Sequence, residues 1–548
     1  MQDVPSVLRS TDILTRYKRY TFTMTVKFYK HILIGSAHMW GHARALAVLA
    51  GRMVRLRPMV VTFPAAANVY DRLKAEIVSD FKPEEKEALS RIRLIRIEQG
   101  TELLDPAVLR DNFLNVWNRL CSGESVDYET PDGKQGSMSL RDEPLSAVAI
   151  DGFTVELFNA LYKQRETTPE LASLKIYTFF PCSNSHILLA FRDDLIPLAE
   201  AIAEREGISF NDAAYKVWAV PKGRVIHSAS LPPMFDYELD PQGLPSTPEM
   251  CGRLFVRVSR MLQQTDGFIT IDAADYHPEA TAAFRKWFGE TGRKMYCAGP
   301  LISSGRDAPG FQAQGDAKDI TKFLDAQLSS RGARSVVYVS FGSMLWPMDP
   351  AKLSAAFDVL IQQNIPFVMA SPSPFAKLSQ AVIDKVKEYP GAFVANWMPQ
   401  QLILDHPAIG WCLTHGGHNS VLECINAGVP MIFWPVAADQ PANAIHLTEQ
   451  LEVAYELLEV RTGIGLAKIY RTGYTPVGTV DAVRAELRDV LARAFGADGE
   501  AKRAKMQGLR ETLGKAWKKD GIARQEVEAF LDDACAGIPV KLVPAQAA

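Results

Sequence analysis

Residues 397–440 read WMPQQLILDHPAIGWCLTHGGHNSVLECINAGVPMIFWPVAADQ, and the fold turns on how this stretch divides. The apolar run Ile409 to Thr414 has the length and composition of a buried strand in a parallel sheet. His415-Gly416-Gly417 makes a tight turn, and Asn419-Ser420 opens a helix carrying Val421, Leu422 and Ile425. A strand, a glycine turn and a fresh helix N-terminus form an anion site, because unpaired N–H groups and the positive end of the helix dipole point into the turn. The two glycines let backbone approach a phosphate without an intervening Cβ. Glu423 lies about a turn further on, within reach of ribose hydroxyls. Ala427-Gly428-Val429-Pro430 ends the helix, Met431 to Trp434 is the next strand, and Asp439-Gln440 follow in its C-terminal loop. That end of an α/β sheet is where ligands bind.

Two blander parsings stand beside this one. A strand–Gly-Gly–helix junction can be a plain connection that binds nothing. His406, His415 and His418 could instead ligate zinc, but the further His, Cys or carboxylate that zinc signatures require at set spacing is missing.

The whole stretch resembles the signature box of the family 1 UDP-glycosyltransferases, which glycosylate small lipophilic molecules. The matching residues are Trp397, Pro399, Gln400, Leu404, His406, Gly410, His415, Gly417, Asn419, Ser420, Glu423, Gly428-Val429-Pro430, Pro435, Asp439 and Gln440. The resemblance implies that Trp397 stacks on uracil and the backbone beside Gln400 pairs with its edge. It implies that Glu423 holds the ribose diol, that His415, Asn419 and Ser420 hold the diphosphate, and that Asp439 and Gln440 bind sugar hydroxyls. His418 stands where plant members usually carry Trp, so it is either a sugar contact or a solvent-exposed turn residue.

Length and composition agree with such a protein. A chain of 548 residues suggests two large domains. Hydrophobic and charged fractions of 47% and 22% are those of a soluble globular protein. The net charge of −3, with no long basic tract, argues against nucleic-acid or anionic-membrane partners. Seven scattered cysteines without a CxxC are expected to be free thiols of a reducing compartment. No uninterrupted apolar stretch is long enough to span a bilayer, and no signal-type core is found near the start. The expectation is a cytoplasmic monomer with no membrane insertion.

Upstream, Phe28 to Gly35 is a short apolar strand and Ala43 to Met53 an alanine- and leucine-rich helix. The turn between them holds Gly41-His42. A lone histidine at a helix start is often structural, but the resemblance places the general base in such a Gly-His pair, with His38 and His31 as competitors. Further strands are expected at Met59 to Phe63, Arg91 to Ile97 and Leu145 to Ile150, with a surface loop over Asp127 to Asp142. Asp151, at the tip of the last of these strands, either caps the next helix or is the catalytic aspartate the resemblance implies about a hundred residues after the histidine. Ser183 and Ser185 fall where relatives line the sugar and acceptor end of the cleft. Residues 190 to 265 mix helical pattern with proline-rich loop, and the resemblance implies that they form the variable acceptor wall. Ser335 to Ser343 opens the second half, with Ser343 implied near the phosphates. Trp346 either covers the acceptor mouth or is an ordinary packed loop residue. Trp40, Ser183 and Trp346 are the candidate acceptor contacts. Amphipathic helices are expected over Val480 to Phe495 and Glu500 to Leu531.

The resemblance implies a GT-B fold, an α/β architecture of two Rossmann-like domains facing across a cleft. The expected division is an extension at 1–27, poorly ordered, an acceptor-binding domain at 28–300, a linker at 301–333, a UDP-sugar-binding domain at 334–520, and a C-terminal helix at 521–548 packing back on the first domain. The expected reaction is inverting, metal-independent transfer of glucose from UDP-glucose, a co-substrate rather than a cofactor, to a hydroxyl of a small lipophilic acceptor such as a phenol. The alternative is a catalytically silent GT-B protein that binds UDP-sugar as a sensor or scaffold. The presence of both His42 and Asp151 argues against it.

Overall fold

A computed structural model describes residues 30–101, 107–303, 317–376 and 378–537. The expected extension at 1–27, much of the expected linker and residues 538–548 lie outside them.

The first half is built on a nine-stranded sheet. Its strands in chain order are β1 (Lys30–Gly35), β2 (Met59–Ala66), β3 (Ile92–Ile97), β4 (Val126–Glu129), β5 (Gln135–Met138), β6 (Ala147–Asp151) and β7 (Lys175–Phe180). A two-stranded hairpin, β8 (Val225–Ile226) with β9 (Met234–Phe235), stands apart, and β10 (Gly267–Thr270) and β11 (Lys294–Cys297) complete the sheet. The spatial order is β11-β10-β7-β6-β1-β2-β3-β4-β5, parallel except for the β4–β5 edge. That edge corrects the loop expected over Asp127 to Asp142. Val126 and Met138 pair directly and are buried, so the polar sequence conceals a half-buried hairpin.

The second half carries a six-stranded, all-parallel sheet of β12 (Val336–Ser340), β13 (Phe367–Ala370), β14 (Ala392–Ala395), β15 (Ile409–Thr414), β16 (Met431–Phe433) and β17 (Ala454–Glu456). Its order is β14-β13-β12-β15-β16-β17. Strands buried on both faces read as unbroken apolar runs, as Ile32-Leu33-Ile34 and Val336 to Val339 do. Burying each such side chain stabilises the fold by roughly 1.5–3 kcal/mol.

Both sheets reverse strand order once. In the first, the chain departs in opposite directions from the adjacent strands β1 and β6, and in the second from β12 and β15. Loops leaving the C-terminal ends of such a pair diverge and open a crevice. At the crevices stand Gly41-His42 in the first turn of the helix after β1, Asp151 at the end of β6, and Gly342-Ser343 and His415-Gly416-Gly417 in the loops after β12 and β15.

The end of the chain ties the halves together. The run expected as one helix from Glu500 to Leu531 is two, Ala497–Leu513 and Ile522–Ala536. The break is a tight turn in which a Cβ on Gly521 would lie 2.3 Å from the carbonyl oxygens of Lys515 and Ala516, so only glycine fits. The second helix lies against the first sheet. Its Asp533 carboxylate accepts from Lys175 Nζ at 2.8 Å, the Tyr177 hydroxyl at 2.7 Å and the Tyr296 hydroxyl at 3.0 Å.

Candidate active site

Between the two crevices lies a cavity of about 630 Å³. On its first-half wall, helix α1 (Trp40–Leu56) places His42 in its first turn, half-buried, with Nδ1 at 2.9 and 3.0 Å from the two oxygens of Asp151. Asp151 ends β6 and is fully buried. It also accepts the backbone N–H of Phe153 at 2.9 Å and, more weakly, that of Ala37 at 3.4 Å. These bonds satisfy a carboxylate that would otherwise be costly to bury. Phe153 presses edge-on against the imidazole at 4.7 Å. With Nδ1 engaged, Nε2 is the ring nitrogen left to the cavity. The competing histidines do not line it. His31 lies within the sheet between Thr62 Oγ1 and the Glu143 carbonyl, and His38 is buried behind the loop.

On the opposite wall, helix α2 (His418–Ala427) begins after Gly417, which has no side chain to cap it, and the Asp439 carboxylate takes the first N–H, that of His418. Gly416 has φ +90°, and a Cβ there would lie 2.6 Å from the Phe433 ring. The His415 imidazole is packed between two glycine backbones, its Nε2 2.6 Å from where a Cβ on Gly342 would stand and 2.7 Å from one on Gly417. Burial lowers its pKa to about 4, so the ring is neutral near pH 7. Ser343, in the neighbouring loop, lines the cavity.

A network of hydrogen bonds links the predicted donor residues. Gln400 accepts from the Tyr338 hydroxyl at 3.1 Å and donates through Nε2 to Ser420 Oγ at 3.3 Å and to Glu423. Asn419 donates across the cleft to the Gly41 carbonyl at 3.1 Å. The Asp439 carboxylate accepts from the His418 backbone N–H at 3.0 Å and the Asn443 amide at 3.1 Å. Gln440 turns its Oε1 to the N–H groups of Val436 and Ala437, at 2.8 and 3.2 Å. Asp439, Gln440 and Trp397 all line the cavity.

Two arginines that sequence reasoning passed over complete this end. Arg44, one turn past Trp40 on α1, pairs with Glu76 at 2.8 Å and with Glu423 across the cleft. Arg72 is sandwiched between the predicted donor and acceptor aromatics, its guanidinium 3.7 Å from the Trp40 ring centre and 4.7 Å from that of Trp397. Trp40 therefore lines the cavity at the Trp397 end. Burial lowers the Arg72 pKa to about 10, and the neighbouring Arg44 charge adds to the shift.

Four predicted contacts turn their side chains elsewhere. Ser183 and Ser185 are buried and do not line the cavity; Ser183 precedes the helix Asn184–Phe191, of which His186, Leu189, Ala190 and Phe191 line it. Trp346 is also away from the cavity, packed edge-on against Phe341 in the core of the second sheet. His418 is neither an exposed turn residue nor a side chain turned to a sugar. Its Nε2 lies 2.9 Å from Asp272 Oδ1 of the first half, both side chains fully buried, so it bridges the two halves. Among the described residues, no cluster of three or more His, Cys, Asp or Glu side chains could hold a metal ion. No helix among them is long and apolar enough to cross a membrane.

Comparison with known proteins agrees with this architecture. The sequence profile described as "UDP-glucoronosyl and UDP-glucosyl transferase" matches residues 299–462. "UDP-glycosyltransferase eriJ" from Hericium erinaceus is 33% identical over 523 residues, covering 92% of this chain and 98% of that protein. "UDP-glycosyltransferase 13" from Pueraria montana var. lobata is 27% identical over 65% of this chain and 77% of its own length. Among solved structures, a Medicago truncatula enzyme complexed with UDP-glucose superposes with a TM-score of 0.66 at 17% identity, over 92% of this chain and 98% of that one. A transferase from Siraitia grosvenorii in complex with UDP gives 0.62 at 18% identity, over 92% and 99%. Two Rossmann-like sheets facing across one cleft, with this degree of likeness along nearly the whole chain, make it a GT-B enzyme that belongs to the UDP-glycosyltransferase family and acts on small molecules with UDP-sugar donors.

Proposed function

We propose that the protein transfers glucose from UDP-glucose to a hydroxyl of a small lipophilic acceptor such as a phenol, with inversion at the anomeric carbon and without a metal ion. The observation that carries this reading is the His42–Asp151 pair at the cavity wall, facing the helix N-terminus at Asn419 and Ser420 across the cleft.

An acceptor hydroxyl is a poor nucleophile until a positioned base begins to take its proton. Asp151 fixes the proton of neutral His42 on Nδ1, which leaves a lone pair on Nε2 for that role, and it stabilises the imidazolium that forms. The acceptor oxygen bonds to the anomeric carbon as the bond from that carbon to the diphosphate breaks. The proton goes to His42, and the electron pair leaves with UDP. Negative charge growing on the diphosphate meets the N–H groups of Asn419 and Ser420 at the start of α2. Fixed donors of this kind do the work a divalent ion would do.

Trp397 serves as the uracil platform, Glu423 holds the ribose diol, and Asp439 with Gln440 binds the sugar. The glucose assignment draws on Asp439-Gln440 and on relatives such as the "UDP-glucose flavonoid 3-O-glucosyltransferase 7" of Fragaria ananassa, 35% identical over 34% of this chain. The apolar and aromatic wall of Phe153, Phe180, Phe191 and Trp218 supports a lipophilic acceptor.

The test is product analysis with UDP-glucose and a panel of phenols, with and without EDTA. A β-linked glucoside formed equally in EDTA is the expected product. An α-linked product, or loss of activity in EDTA restored by a divalent ion, would overturn the mechanism.

A further inference from the structure

The acceptor wall is a series of touching rings. Phe153 lies 5.6 Å from Phe180, Phe180 lies 5.7 Å from Phe191, and Phe191 stacks on Trp218 at 5.1 Å. His42 meets one end of the series through Phe153. His186 meets the series further along, edge-on to Phe191 at 6.0 Å, and lines the same cavity.

His186 sits in the first turn of the helix Asn184–Phe191. Its Nδ1 is shut off from solvent without a hydrogen-bond partner among the described residues, which leaves Nε2 as the nitrogen turned to the cavity. A proton on Nδ1 would be a buried donor with no acceptor, so the neutral ring carries its proton on Nε2. Burial lowers its pKa, with the Asp439 carboxylate opposing, so the ring is neutral at physiological pH. An N–H set in an apolar wall and lacking a protein acceptor is the kind of isolated polar group that orients a ligand.

We propose that His186 is a specificity-determining residue that donates to a second oxygen of the acceptor, a carbonyl or hydroxyl oxygen at the far side of the ring system from the hydroxyl held by His42. The preferred acceptors are then lipophilic molecules of two or more fused rings bearing oxygen at both ends. This deepens the transferase reading and rests on it for the placement of the reacting hydroxyl.

The experiment is equilibrium binding to the enzyme–UDP complex of two bicyclic phenols of similar shape. Umbelliferone has a lactone carbonyl across the ring pair from its hydroxyl, and β-naphthol has none. His186→Phe is expected to weaken umbelliferone by roughly three- to tenfold, the worth of one neutral hydrogen bond, and to leave β-naphthol unchanged or tighter. His186→Gln, which keeps an N–H, is expected to restore umbelliferone to within about twofold. Equal shifts for both compounds, no shift for either, or failure of the wild-type complex to bind either would overturn the proposal. Turnover is read separately. Binding differences with no glucoside from any variant would count against the transfer reaction and not against His186.

Discussion

Replacing Glu423 by Ala tests the donor site at its most connected carboxylate. Glu423 is 5% exposed and accepts from Gln400 and, across the cleft, from Arg44. On the proposed reading the ribose diol adds two more bonds to this charged acceptor. Hydrogen bonds to charged groups are worth about 1.5–3 kcal/mol each, so their loss amounts to about 3 kcal/mol, or roughly a hundredfold in UDP affinity. Breaking a buried ion pair costs about 3–5 kcal/mol when the remaining charge is stranded. Arg44 is not stranded, because Glu76 stays 2.8 Å away, and the loss of stability should be only about 1–2 kcal/mol. Arg44→Gln is the control. It breaks the same cross-cleft pair but leaves the carboxylate for ribose, so UDP affinity should be unchanged or higher. Calorimetric titration of UDP into both variants, with urea unfolding alongside, separates the effects. If Arg44→Gln weakens UDP as much as Glu423→Ala does, the carboxylate serves to join the two halves and the ribose role is refuted.

Three further outcomes are expected. Asp151→Asn should lower kcat by about 10²–10⁴-fold, since the amide favours the wrong His42 tautomer, while UDP affinity measured by titration stays the same. His418→Ala should destabilise the fold by about 2–4 kcal/mol in urea, because it leaves the buried Asp272 carboxylate with the Asn184 N–H but no cationic or imidazole partner. Stability should also fall in mild acid. Burial holds His31 and His277 at about 4, and the neighbouring His446 adds to the shift of His277, whereas the unfolded values are about 6.5. The unfolded chain therefore binds more protons between the two values. This contribution is complete above about pH 6.5, is lost as pH falls towards 4, and is worth roughly 2 kcal/mol per histidine between pH 7.5 and 5. Urea midpoints at the two pH values measure it, and His31→Gln should shrink the difference.

The parts legible in the sequence are those written in local pattern. The apolar run Ile409 to Thr414 is the strand β15, and the glycines after it precede a helix. His42 and Asp151, 109 positions apart, were paired through a family resemblance, and the structure puts them in hydrogen-bonding contact. What local pattern does not carry is which way a side chain turns once its element is packed. Ser183 and His186 lie within one turn of each other, yet the serine is buried away from the cavity and the histidine lines it. His418 follows the glycine turn like an exposed residue, and its partner Asp272 is 146 positions away. Arg44 and Glu423 are separated by 379 positions, and Arg72 meets Trp397 only because two crevices face each other. Trp346 sits in a loop by sequence, but Phe341 and the second sheet take it into the core.

The most direct test of the account is UDP release from UDP-glucose in the presence of a phenol, comparing wild type with His42→Ala while UDP affinity is followed in parallel. Acceptor-dependent release should fall by about 10²–10⁴-fold in the variant, with UDP bound as tightly as before. Release that persists unchanged in His42→Ala would contradict it.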